Sequence, residues 1–316
     1  MSRGLGGGGG TAVLLGLGVL TVPATALEPS GGRAAPSPPA PDAATPSDAA
    51  ARRPAGPSPA AIVAGLSPAQ LAGQRIVFPL DGTRIPRGLR TRIATGRAGG
   101  VILFSRNVVS RAQLRRLIRA LQAIERPRGL GAPLFVMVDQ EGGAVKRIPG
   151  PPLQSSRVLS SSTPAALRSI GRATGRSLAA VGINVDLAPV ADVVRPGSAL
   201  AAEGRGFGPK PRAVAARAVA FSEGLGAAGV LASAKHFPGL GRAAISTDAS
   251  RSVIRALAPA LRRIDLATFR ALIGEDVPLI MTSTAVYPAL SPTRPRSRPG
   301  SWAGSFEESS GAGASS

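Results

Sequence analysis

The residues best suited to chemistry in this 316-residue chain converge on one short block. An apolar run, Gly229-Val230-Leu231-Ala232-Ser233-Ala234, leads into Lys235-His236-Phe237-Pro238-Gly239, with Asp248 further on, and His236 is the only histidine. The run reads as a buried β-strand that carries an ammonium and an imidazole side by side to its carboxyl end, closed by a Pro-Gly turn. Two donors there stand where barrel enzymes hold substrates, and a sugar hydroxyl is a natural partner. A lone histidine is more often a satisfied core residue than a ligand, but the strand-end position beside Lys235 favours a functional role for His236.

Other strand ends carry polar residues in the same way. The run ending at Val138 is followed by Asp139-Gln140-Glu141-Gly142-Gly143. Asp139 could bind two hydroxyls bidentately, the paired glycines permit close backbone approach, and Glu141 reads as a structural hydrogen-bond acceptor. In Asn184 to Asp192, the carboxylates of Asp186 and Asp192 read as structural groups that cap turns and pair with arginines. Glu203-Gly204-Arg205-Gly206-Phe207-Gly208 presents a glycine-flanked arginine able to point its fork at a ligand. As an isolated glycine-rich loop it says little about phosphate. One histidine and no cysteines leave only scattered carboxylates, so no metal site is expected.

The elements that must position these residues alternate along the chain. Short apolar runs at Arg75 to Leu80, Gly100 to Phe104, Leu134 to Val138, Ile183 to Ala188, Val230 to Ala234 and Val277 to Thr282 read as strands buried on both faces. Between them lie helical patterns at Arg111 to Glu125, Pro164 to Val181, Pro211 to Gly226 and Ala256 to Ile273. Repeated strand-helix units predict an α/β fold of the (β/α)8 barrel type. Periodicity alone does not separate this from a doubly wound sheet, but polar residues at successive strand ends favour the barrel. About six of its eight units are present.

The ends of the chain differ from this body. Residues 1–26 read as a secretory signal peptide, with Arg3, an apolar stretch from Thr11 to Val22 and the small-residue site Ala24-Thr25-Ala26. That stretch is too short to span a bilayer, so no stable membrane span is expected after cleavage. Residues 27–61 read as a disordered Pro/Ala/Ser-rich linker, 62–290 as one large domain, and 291–316 as a disordered tail. The absence of cysteine excludes disulfides and a lipid-modified cysteine, so the expected location is secreted or cell-wall associated. The formal charge of +21 raises the question of nucleic acid. The basic residues are nearly all arginine, with Lys146, Lys210 and Lys235 the only lysines, and are spread along a chain with 3% aromatics. That pattern is what GC-rich coding produces, and no nucleic-acid partner is expected.

Taken in order, Gly99 to Asn107, Val138 to Gly143, Asn184 to Asp192, Arg205 to Gly208, Lys235 to Gly239 and Tyr287-Pro288-Ala289-Leu290 resemble the N-terminal catalytic barrel of glycoside hydrolase family 3, in its β-N-acetylhexosaminidase branch. The resemblance covers about Leu66 to Leu290, and Lys235 to Gly239 is its most diagnostic block. It implies that Asp139, Arg205, Lys235 and His236 hold the non-reducing-end sugar. The implied reaction is retaining hydrolysis of a terminal β-linked N-acetylglucosamine, which needs a carboxylate nucleophile, a proton donor and no cofactor.

The chain departs from the branch in two places. The branch takes its donor from an aspartate followed two residues later by a histidine; Asp248 fills the first position, Ser250 the second, and Leu240 replaces a histidine usual after Pro-Gly. The family's nucleophilic aspartate belongs on a strand after Tyr287 to Leu290, whereas Ser291 to Ser316 carries no apolar run. The expectation is a chain truncated or frame-shifted before that strand, with a tail that is not native family sequence and with activity in doubt. A carbohydrate partner is expected. A sugar-binding protein without catalysis and a basic surface protein that binds wall polyanions are the alternatives.

Overall fold

The computed structural model of the protein describes residues 58–290. The expected signal peptide (1–26), most of the expected linker (27–61) and the expected tail (291–316) lie outside the described residues. The first helix, α1 (Pro59–Ala64), straddles the boundary expected at residue 62. The Ser58 side chain accepts from the Ala61 amide, and Pro59 opens the first turn, where its missing N–H costs nothing.

In chain order the strands are β1 (Val77–Pro79), β2 (Gly100–Leu103), β3 (Phe135–Val138), β4 (Gln140–Gly142), β5 (Val145–Lys146), β6 (Val185–Asp186), β7 (Leu231–Phe237) and β8 (Leu279–Thr282). Six of them form one sheet in the order β1-β2-β3-β6-β7-β8, every pair parallel, and β4 and β5 make a small antiparallel hairpin. The longer helices are α2 (Pro68–Gly73), α3 (Arg87–Ala94), α4 (Arg111–Gln122), α5 (Pro164–Ala179), α6 (Pro211–Gly226) and α7 (Leu266–Gly274). Parallel strands in sequential order, joined through helices, make this a partial (β/α)8 barrel with six strands.

Each apolar run read from the sequence holds one strand. β7 differs in running three residues past Ala234, because Lys235 and Phe237 keep pairing with Met281 and Thr282. The Lys-His pair therefore lies inside the strand and not just after it. The helical pattern at Ala256 to Ile273 is one continuous helical run over 258–274 that changes its winding part-way. A π-helical stretch, Leu261–Asp265, precedes α7, and its side chain Asp265 is buried against Arg242.

Strand alternation decides what reaches the site. In β2, Val101 and Leu103 pack with Leu114, Leu117, Ile118 and Leu121 of α4, whereas Ile102 turns to the inner face with Val77, Met137, Val185 and Leu279. In β7, Leu231 faces inward and Ala232 and Ala234 face the helices, so the two-residue period turns Ser233 and Lys235 inward. Both faces of the sheet are apolar, as a parallel sheet requires.

The helices behind β6 and β7 pack at very short range. A Cβ at Gly171 of α5 would stand 2.3 Å from the Phe221 carbonyl of α6, and one at Gly224 of α6 would stand 2.2 Å from the Arg168 carbonyl. Both obstacles are backbone and cannot step aside by changing rotamer. Gly224→Ala is accordingly expected to lower stability by about 1–3 kcal/mol through overpacking, despite alanine's better helix propensity. Urea unfolding measures this, and an unchanged or raised midpoint would contradict the packing described.

Candidate active site

Asp139, Arg205, Lys235, His236 and Asp248 all border one cavity of about 480 Å³, at the carboxyl ends of the parallel strands. Its floor is built around Lys235, whose side chain is 2% exposed. The ammonium lies 2.6 Å from Asp139 Oδ1 and 2.7 Å from Glu141 Oε1. Glu141 is as deeply buried and also receives Arg205, whose Nε donates to Oε2 at 2.9 Å and whose Nη2 donates to Oε1 at 2.8 Å. The third arm of the guanidinium, Nη1, donates to Glu203 at 3.0 Å. The fork expected to point at a ligand is thus engaged by two carboxylates, because a cation this far from water needs that compensation. Arg205 still borders the cavity, while fixing Glu141 from behind.

Glu141 reaches this position because the chain turns sharply after it. Gly142 and Gly143 have φ of 100° and 58°, and a Cβ at Gly142 would stand 2.2 Å from the Gln154 carbonyl. The Gln140 side chain pins the hairpin from inside, accepting from the Arg147 and Ile148 amides and donating to the Ile148 and Pro151 carbonyls.

His236 is held by Asp192. Asp192 Oδ2 lies 2.7 Å from His236 Nδ1 and accepts the His236 backbone amide at 3.0 Å, while Oδ1 accepts the Leu240 amide at 2.5 Å. Arginine pairing was expected for Asp192 and Asp186. Asp192 instead takes the imidazole and two amides, and Asp186 accepts the Gln140 amide at 3.0 Å with its Oδ2 buried and unpartnered. Both are fully buried and accept backbone amides from other segments of the chain. The turn after His236 is further secured by Tyr287, whose hydroxyl donates to the Gly239 carbonyl at 3.1 Å.

Asp248 stands apart from this buried work. It is exposed on the cavity rim, where its backbone amide donates to the Ser246 hydroxyl at 3.3 Å, and Ser250 is exposed as well. Arg147, absent from the residues singled out in the sequence, also borders the cavity, and its Nε is buried without a hydrogen-bond partner. The Gly142-Gly143 turn between two short strands was the signal that could have found it, since a hairpin there returns the chain to the same strand end. Among the described residues, no group of three or more His, Cys, Asp or Glu is placed to hold a metal ion.

Electrostatics follow from burial. Burial alone would raise the Glu141 carboxyl, but the ammonium of Lys235 and the hydrogen bond and charge of Arg205 outweigh it and hold Glu141 at about 2. Lys235 is raised because Asp139 and Glu141 together overcome the burial that would lower it. Asp186 lies well above the usual carboxylate range because burial is only partly offset by the Gln140 amide and Lys235. These directions describe a cluster ionised at Lys235, Glu141 and Arg205.

Glu141→Gln should therefore destabilise the domain by about 3–5 kcal/mol, since it removes one carboxylate from two buried cations. The sign with pH also follows. Glu141 is depressed when folded, so its stabilisation is complete above the ordinary value of 4.5 and fades as pH falls toward about 2. Melting temperature against pH should fall across that window more steeply for the parent protein than for Glu141→Gln, and parallel curves would contradict the assignment.

Comparison with known proteins places the chain. The profile of the glycosyl hydrolase family 3 N-terminal domain matches residues 69–302. An uncharacterized secreted glycosyl hydrolase of Arthroderma benhamiae is 37% identical over 238 residues, covering 73% of this chain and 67% of the relative. A β-hexosaminidase of Alkalilimnicola ehrlichii is 35% identical over 240 residues, covering 72% of this chain and 66% of the relative. The chain thus spans about two thirds of the length of these two relatives. Among solved structures, a β-N-acetylhexosaminidase from Beutenbergia cavernae superposes with a TM-score of 0.65 at 34% identity, covering 73% of this chain and 71% of that one. A profile match over most of the described domain, the same barrel in a solved relative and the ordered blocks of its sequence agree: the chain belongs to glycosyl hydrolase family 3.

Proposed function

We propose that this domain binds the terminal sugar of β-linked N-acetylglucosaminides and belongs to an exported hydrolase that releases that sugar with retention, with peptidoglycan fragments or other amino sugars as substrates. The observation that carries the reading is the ion-paired cluster of Asp139, Lys235, Glu141 and Arg205, in which Asp139, Lys235 and Arg205 border one cavity together with His236 while buried Glu141 ties them from behind. Lys235 takes Asp139 Oδ1, which leaves Oδ2 without a partner among the described residues and able to accept from a sugar hydroxyl. The relatives named β-hexosaminidase and β-N-acetylhexosaminidase support the amino sugar as substrate. Export rests on the composition of residues 1–26 and on the relative described as secreted. No helix among the described residues is long and apolar enough to cross a membrane.

In this reading Asp248 supplies the proton to the leaving oxygen from the rim. The nucleophilic aspartate expected on a strand after Leu290 has no candidate in this chain, since residues 291–316 contain no aspartate. A second reading, sugar binding without hydrolysis, draws on the exposed setting of Asp248 and on Ser250 where the branch has a histidine. A serine hydroxyl is no proton donor of useful acidity.

Two measurements separate these readings. Calorimetric titration with N-acetylglucosamine should show binding, and Asp139→Asn should weaken it by about 1.5–3 kcal/mol, roughly ten- to a hundredfold. A null titration of the parent protein would sink both. Release of nitrophenol from a nitrophenyl β-N-acetylglucosaminide, lost in Asp248→Asn, supports hydrolysis. Binding with no release by the parent protein leaves sugar binding alone.

A further inference from the structure

We infer that Asp192 is a positioning residue that locks neutral His236 in its Nδ1–H tautomer, so that the imidazole offers the cavity a hydrogen-bond acceptor at Nε2 and selects a ligand that donates a hydroxyl there. The choice of a hydroxyl ligand rests on the sugar-binding reading above; the tautomer does not. From sequence, His236 was read as a second donor beside Lys235, and the hydrogen bonds around Asp192 reverse that role for the neutral ring.

Every bond to Asp192 runs in one direction. Its side chain is fully buried, Oδ2 accepts the backbone N–H of His236 at 3.0 Å, and Oδ1 accepts that of Leu240 at 2.5 Å. Backbone amides can only donate, so both carboxylate oxygens act as acceptors. Nδ1, 2.7 Å from Oδ2, completes the set by donating to it. A neutral imidazole carries one N–H, so a proton fixed on Nδ1 leaves the Nε2 lone pair bare. Nε2 has no hydrogen-bond partner among the described residues, the side chain is 14% exposed, and His236 borders the cavity.

The neighbouring groups divide the work. Lys235 is consumed by Asp139 and Glu141, Arg205 by Glu141 and Glu203, and Asp265 on the far side by Arg242. Asp192 is the only one of these carboxylates with the imidazole as partner. Leu240, where the branch has a histidine, enters the same carboxylate through its backbone amide, which ties the start of the loop carrying Asp248 to the orientation of the ring.

The sole histidine makes the test direct, because its ring nitrogens give the only imidazole signals in a 15N NMR spectrum of the untagged chain. On the basic side of the His236 titration, Nδ1 should appear as a protonated pyrrole-type nitrogen and Nε2 as a pyridine-type one, the tautomer less populated by free histidine. Asp192→Ala should return the ring to the Nε2–H form. Where that variant does not fold, the parent spectrum decides alone, and a pyridine-type Nδ1 in it overturns the inference. Added N-acetylglucosamine should move the Nε2 resonance and leave Nδ1 in place. Binding that leaves Nε2 unmoved overturns the ligand-facing role, whereas absence of binding counts against the sugar reading and leaves the tautomer result standing.

Discussion

The interior ammonium of Lys235 is the constraint from which the rest of the site follows. Strand alternation carries it to the inner face of the half-barrel, where an unpaired charge would cost several kcal/mol. Asp139 and Glu141 supply the compensation at 2.6 and 2.7 Å. Two carboxylates on one ammonium leave an excess of negative charge, which the Arg205 guanidinium answers through its two bonds to Glu141. Removing Glu141 takes one carboxylate at once from Lys235 and Arg205, leaving each with a single partner, Asp139 and Glu203 respectively. The cluster is therefore a preorganised polar floor, whose groups spend no further reorganisation when a ligand arrives.

The main chain is shaped to the same end. The β3 strand ends at Val138 so that Asp139 stands at the lip, and the left-handed Gly142-Gly143 turn folds Glu141 beneath it. Arg205 reaches the cluster from the loop before α6, and β7 delivers Lys235 and His236 together. Behind β7, Asp192 gathers the imidazole and the start of the next loop on one carboxylate, and Tyr287 holds the Gly239 carbonyl. Loops and strand ends from several parts of the chain thus meet at a cavity that no single segment defines.

Much of this was legible in the residues. The six apolar runs each hold a strand because a parallel sheet buries both faces, and apolar runs without alternation are its direct trace. The patterns at Arg111, Pro164 and Pro211 became α4, α5 and α6 at nearly their expected lengths because each carries an apolar stripe and two of them open on proline. The helix expected over Ala256 to Ile273 is present as one continuous helical run from 258 to 274; what periodicity does not record is the π-helical turn at Leu261–Asp265, where Asp265 is buried against Arg242. The five candidate site residues do border one cavity, since strand ends in a parallel fold are neighbours by topology. Their partners were not legible. That Arg205 would be clamped by Glu141, that Asp192 would take a histidine and not an arginine, and that Arg147 would return to the cavity all depend on contacts between loops, and local pattern carries no record of them.

The central claim is that the buried cluster and His236 together form the floor of a sugar site. A crystal structure of the protein soaked with N-acetylglucosamine tests it most directly. The account predicts a pyranose ring in the cavity with hydroxyls within hydrogen-bond reach of Asp139 Oδ2 and His236 Nε2, and with the Lys235 to Glu141 contact intact. A sugar bound elsewhere on the surface, or a cavity that stays free of sugar at saturating concentration, would contradict it.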